Sequence, residues 1–257
     1  MEMTFEDYIK NPMGRQNAVF SKREMFHKHY VDILDKILVR EGGKLDYVLY
    51  NNGDRYLIHF KIPSEVIEKF YYDTVIEFYP KEDLTKNHDS LNNYFVNFYS
   101  NDPSFVYTFA HAFIENDIFI KDLVSKMSNE AVKQVAKVKN PKNIVGYVKS
   151  IYFAYLIMKN RGLFKKQYFK TYGVNYNKKD LLNRIEHASV KVEKRKEAGE
   201  LKNKKKKIEA TKATNNKESV KNKDSVKSNK GIVQATKVVK NVLTSVTSKR
   251  IKNVKRK

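Results

Sequence analysis

The residues of this chain whose types and spacing most plainly imply chemistry are the lysines and arginines near its end. From Lys191 to Lys257 there are 23 Lys or Arg against 6 Asp or Glu, so this segment carries +17 of the chain's +22 formal charge. They cluster as Lys194-Arg195-Lys196, Lys204-Lys205-Lys206-Lys207, Lys249-Arg250, Lys252 and Lys255-Arg256-Lys257. Cations at this density bind phosphate backbones by displacing counterions, which requires charge rather than fixed geometry. The segment has no aromatic residue that could stack on a base. The expected partner is nucleic acid, bound through its backbone without sequence preference. Ile232, Ala235, Val239, Val242 and Val246 recur at steps of three and four within the last part of the segment. That spacing gives a cationic helix one apolar stripe. The stripe is expected to dock on a neighbouring protein subunit while the charges face nucleic acid. Anchoring on anionic lipid fits less well, because the interfacial aromatics are missing.

Other chemistry is sparse. His27 and His29 stand two residues apart on a predicted helix, about 200° around its axis, and cannot share a metal ion. Asp73 and Glu77 fall on one face of a predicted strand. Two carboxylates can hold magnesium, and a metal-dependent nuclease would use such a pair. A solvated strand face is the simpler reading, since no third acidic residue stands at a clear spacing. No HExxH, CxxC, GxSxG or glycine-rich phosphate loop occurs, and the chain has no cysteine. No catalytic residue, metal ligand or cofactor is therefore expected. Phe164, Tyr168 and Tyr172 interleave with Lys165, Lys166 and Lys170. Single-strand binding surfaces mix these types, yet a four-residue step also describes the core face of a helix.

The elements that must position these groups are predicted as follows. Thr4 with Asp7 caps a short helix through Ile9, and Asn11-Pro12 breaks it. Ser21 and Glu24 form a capping box ahead of Phe26, Tyr30, Ile33, Leu34, Ile37 and Leu38. This second helix ends near Arg40 at Gly42-Gly43. The period then changes to two. Strands are predicted from Leu45, from Tyr56 to Ile62 after a tight turn at Asn52-Gly53, and from Phe70 to Tyr79. Together they make an antiparallel three-stranded meander covered by the helix. Tyr94 to Tyr99 fits a strand or the start of a helix, and the strand is preferred. Phe105 to Ile114 is apolar all round and must be buried. Helices are predicted from Ile120 to Val138, from Ile144 to Asn160 with Asn143 as cap, and from Lys178 outward towards Ala210.

Two stretches stand out: Ser100-Asn101-Asp102-Pro103-Ser104-Phe105-Val106-Tyr107 and Asn140-Pro141-Lys142-Asn143-Ile144-Val145-Gly146-Tyr147. They resemble stretches of uncharacterised virion proteins of AT-rich tailed bacteriophages. The likeness covers at most residues 90–170 and carries no functional residue with it. It implies a structural protein inside a DNA-containing particle.

These readings combine into an α+β body over residues 1–176, with a small antiparallel three-stranded sheet packed with helices. A basic helix over 177–210 leaves that body. A polar linker over 211–231 and a cationic amphipathic segment over 232–257 follow. The expected function is a non-enzymatic structural protein of a phage-like nucleoprotein assembly, at the neck or inner capsid, contacting DNA and neighbouring subunits in an oligomer. The alternative is a free cellular nucleic-acid-binding protein without sequence preference. The acidic start offers no signal peptide, and the longest apolar run, Ile151 to Met158, is too short to span a bilayer. A virion or host-cytoplasmic location is expected, without secretion.

Overall fold

A computed structural model describes residues 2–10, 23–81 and 89–204. Helix α1 (Phe5–Lys10) begins as its sequence predicts. The Thr4 hydroxyl accepts from the Asp7 amide at 3.1 Å, and the Asp7 carboxylate accepts from the Thr4 amide at 3.1 Å. Helix α2 (Arg23–Arg40) stops where Gly42 and Gly43 take φ of 67° and 73°. There the Gly43 amide closes the last turn on the Leu38 carbonyl. The capping box at Ser21 lies outside the described residues.

The fold is α+β, but the sheet corrects the three-stranded expectation. Strands β1 (Asp46–Asn52), β2 (Arg55–Pro63) and β3 (Tyr71–Tyr79) do form the antiparallel meander. Gly53, at φ 64°, is the first residue of the two-residue β1–β2 turn, where a left-handed conformation matches strand twist. The sheet then continues on both sides. β4 (Phe95–Ser100) pairs antiparallel with β3, and β5 (Val174–Asn175) pairs parallel with β1. The order is β4-β3-β2-β1-β5, a mixed five-stranded sheet. Two exposed residues carry no periodicity, so nothing in the sequence marks β5. β4 is readable as a strand, but its pairing depends on the chain returning across the polar stretch before it.

The helical expectations need further correction. The predicted Ile120–Val138 helix is instead a 3-10 turn (Lys121–Lys126) and the short helix α4 (Asn129–Lys133). Ser128 caps α4 through the Ala131 amide, which restarts the chain, and Val138 ends 93% exposed. Leu123, Met127 and Ala131 are buried singly rather than as one helical face. Phe105–Phe109 is a π-helical turn leading into α3 (Ala110–Glu115). Asn143 has φ 50° and caps nothing, and α5 (Lys149–Asn160) starts only after Val148. Helix α6 (Lys166–Tyr172) precedes β5. Asn177 caps α7 (Lys178–Arg184) through the amides of Lys179 and Asp180. The run predicted from Lys178 is broken at 185–187, and helix α8 occupies residues 188–204. Eight α-helices thus accompany the sheet among the described residues.

Both faces of the sheet are covered. On one, Phe5 packs its ring against Phe78 and Phe98, Phe169 against Tyr56, and Ser150 of α5 hydrogen-bonds to Ser100. The other carries the polar His59, Lys61, Asp73, Glu77 and Asn97 among Leu57, Val75 and Tyr99. It is covered by the chain around Phe119, Tyr176 and 184–186. The compact unit runs to Lys202, so α8 as far as that residue belongs with the body. Ala188 and Val192 are buried, and the Lys191 ammonium lies 4.7 Å from the centre of the Phe70 ring. No helix among the described residues is long and apolar enough to cross a membrane.

Candidate functional site

Two groups of charged residues stand at the end of the sheet where β2 finishes and β3 begins. The first is buried. Asp73, on β3, is fully covered and pairs across to Lys61 on β2. Its Oδ1 faces His59 Nε2 at 2.8 Å and accepts from the Lys61 ammonium. Its Oδ2 accepts from Asn101 Nδ2 at 2.8 Å and from the Glu186 amide at 3.3 Å. Burial alone would raise the Asp73 pKa, but the hydrogen bonds and charges of His59 and Lys61 outweigh it and bring it to about 2. Lys61 also donates to the Arg184 carbonyl, and Asn101 to the Glu186 carbonyl. The network therefore grips the break between α7 and α8 and fixes where α8 starts.

This geometry answers the magnesium reading of Asp73 and Glu77. Four residues of strand separate their Cα atoms by about 13 Å, too far for one ion. Asp73 already spends both oxygens on protein donors. Glu77 accepts from Asn97 Nδ2 at 2.9 Å and lies 3.7 Å from Arg55. No group of three His, Cys, Asp or Glu among the described residues is placed to hold a metal.

The second group lines an open cleft of about 520 Å³. Its floor is Ile62, Pro63 and Tyr72 from the strand ends, with Phe153 of α5 and Val192 of α8. Around it stand four cations, Lys139, Lys149, Arg195 and Lys196, against two acids, Glu65 and Asp102. Lys149 bonds Glu65 at 2.5 Å, and Arg195 and Tyr72 both line the cleft. Among the described residues, Lys139 and Lys196 have no carboxylate within ion-pair distance and are exposed. Asp102 is 8% exposed, and its Oδ1 accepts from the Ser104 amide at 2.8 Å. Burial raises its pKa above the ordinary carboxylate range, against the pull of Ser104, Lys149 and Arg195.

The predicted basic residues therefore divide. Arg195 and Lys196 reach the cleft wall, whereas Lys194 is spent on an ion pair with Glu186. Lys204 is exposed at the end of α8. Lys205, Lys206, Lys207, Lys249, Arg250, Lys252, Lys255, Arg256 and Lys257 lie outside the described residues, as does the docking stripe of Ile232, Ala235, Val239, Val242 and Val246. Sequence reasoning missed Lys139 and Lys149. The signal for Lys139 was the cationic run of Lys133, Lys137, Lys139 and Lys142, and no such run marks Lys149.

The two stretches singled out by resemblance meet at this cleft. Asp102, Ser104 and Tyr107 come from the first and Tyr147 from the second. Asn140 ties them together: its Nδ2 donates to the carbonyls of Thr108 at 3.0 Å and Ile144 at 2.8 Å. Its Oδ1 accepts from the Ile144 amide. Gly146 has no room for a side chain, because a Cβ would stand 2.4 Å from the Phe109 ring. The aromatic run behaves differently. Phe164 packs with Phe5, Phe78 and Tyr155, Phe169 is buried, and Tyr172 is 71% exposed and stacked on Tyr168. No protein-family model, curated protein or solved structure matches the chain.

Proposed function

We propose that this protein is a non-enzymatic structural component of a nucleoprotein assembly of phage type, acting in the virion or host cytoplasm, which holds nucleic acid by its phosphate backbone. The observation that carries the reading is the separation of charge. A nearly balanced body has a C-terminal segment of +17, and in the described start of that segment, α8, Arg195 and Lys196 line a cleft with Lys139, which has no carboxylate partner among the described residues. A segment of that charge attracts a polyanion and holds it by counterion release. The stripe from Ile232 to Val246 supplies a contact to a neighbouring subunit.

The test compares the full chain with one ending at Lys204. A cut at 191 would remove Val192 from the core, so the later cut separates binding from folding. It removes 17 Lys or Arg. The full chain should bind duplex DNA with an affinity that falls about a thousandfold or more between about 50 and about 200 mM salt. The shortened chain should keep its circular dichroism spectrum and lose most of that affinity. Equal duplex binding by both chains would remove the basic segment from the proposal.

A further inference from the structure

The cleft differs from a plain basic surface in two respects. It is concave, and it contains an available ring. Among the aromatic side chains whose burial is described, only Tyr107 and Tyr172 are exposed, and Tyr172 is already stacked on Tyr168. Tyr107 is 44% exposed, has no ring neighbour among the described residues, and lines the cleft together with Ser104 and Lys139. The volume of about 520 Å³ suits one nucleotide-sized ligand.

We propose that this cleft is a nucleotide-binding site, taking one unit of a single strand or a free mononucleotide, with the phosphate held by Lys139, Arg195 and Lys196 and the base on Tyr107. Cations that converge on a hollow hold one phosphate by position, whereas a Lys-rich segment holds a polymer by charge density. A base has a flat face for which a half-exposed tyrosine is a suitable platform. Duplex DNA buries that face by stacking, and a double helix, whose major groove alone is about 12 Å wide, does not enter a hollow of this size. The mouth therefore selects unpaired nucleotides. Lys149, neutralised by Glu65, forms the rigid side of the site. Lys139 and Lys196 are its free arms. The Asp102 carboxylate lies behind them, taken up by the Ser104 amide.

The proposal rests on the nucleic-acid reading above only for the source of the ligand, and the two can fail separately. Full-length protein is treated with an amine-acylating reagent. Peptide mass spectrometry then reads each lysine in the presence of thymidine monophosphate, a short oligothymidylate, inorganic phosphate or a duplex. Thymidine monophosphate and oligothymidylate should protect Lys139 and Lys196, inorganic phosphate should protect them far less, and duplex should protect only lysines beyond Lys204. If cleft lysines stay reactive while oligothymidylate protects the lysines beyond Lys204, the cleft site is wrong and the backbone reading stands. Protection nowhere by any nucleic acid sinks both. Inorganic phosphate protecting as well as the nucleotide overturns the role of the base, and duplex protecting the cleft overturns the selection of single strands.

Two variants make the site specific. Lys139→Ala combined with Lys196→Ala removes exposed side chains and should weaken thymidine monophosphate about tenfold or more, since each lysine contributes one phosphate contact. Tyr107→Leu keeps an apolar side chain without a stacking face and should weaken it about tenfold. Unchanged affinity in either variant, with an unchanged circular dichroism spectrum, overturns the role given to those residues.

Discussion

The Asp73 network and the cleft are built from the same residue types, from adjoining parts of the chain, and they do opposite things. At Asp73 one buried carboxylate meets Lys61, His59 and Asn101, and every oxygen has a donor. At the cleft, cations outnumber acids and two lysines have no carboxylate partner among the described residues. A satisfied buried charge is costly to disturb and inert towards ligands, while an unsatisfied charge at a concave surface is available to an outside anion. The two regions are also linked in the fold. The network fixes the start of α8, and α8 delivers Arg195 and Lys196 to the cleft. One region is the mount and the other is the tool.

The largest expected effect comes from breaking the mount. Asp73→Ala leaves Lys61 and His59 facing each other without an anion and frees the Glu186 amide. A loss of about 3–5 kcal/mol of stability should follow, read by urea denaturation. The same variant should weaken mononucleotide binding even where it remains folded, because α8 loses its anchor. A stable variant with full binding would show that the two regions are independent.

A smaller effect comes from acid. Asp73 titrates at about 2 in the folded chain against an ordinary 3.8, so the folded state favours its ionised form. That stability is present above pH 3.8 and is lost as pH falls through about 2, an amount on the order of 2 kcal/mol. Urea midpoints measured down the pH scale should show this fall, and Asp73→Asn should flatten it.

The smallest effect has the opposite sign and belongs to the cleft. The raised pKa of Asp102 means that folding disfavours its charge. The cost is absent below pH 3.8 and grows as pH rises through the folded value. Asp102→Asn keeps an oxygen for the Ser104 amide, so it should be neutral to about 1 kcal/mol stabilising at pH 8, with no gain at pH 3. A clear loss at pH 8 would show that the carboxylate is held by Lys149 and Arg195 more firmly than burial opposes it.

Particular elements show what could be read in advance. α1, the end of α2 and the β1–β2–β3 meander rest on caps, glycines and period-two runs, which are short-range signals. The expected helix over 120–138 had the right spacing of apolar residues. Spacing alone does not distinguish a helix from separate turns that each bury one side chain, and Ser128 chose the latter. Asp73 and Glu77 suggested a solvated face because nothing near them in the chain announces that residues 184–186 return to cover it.

The sequence by itself determined the partition of charge, the aromatic body and the local starts and stops of its elements, because composition, caps and turns act over a few residues. Only the tertiary structure decided that the sheet has five strands, that Asp73 is spent on Lys61 and His59, and that Lys139, Lys149, Arg195 and Lys196 share one cleft. Those facts join residues separated by tens of positions. The contacts that join them exist only once both sheet faces are buried.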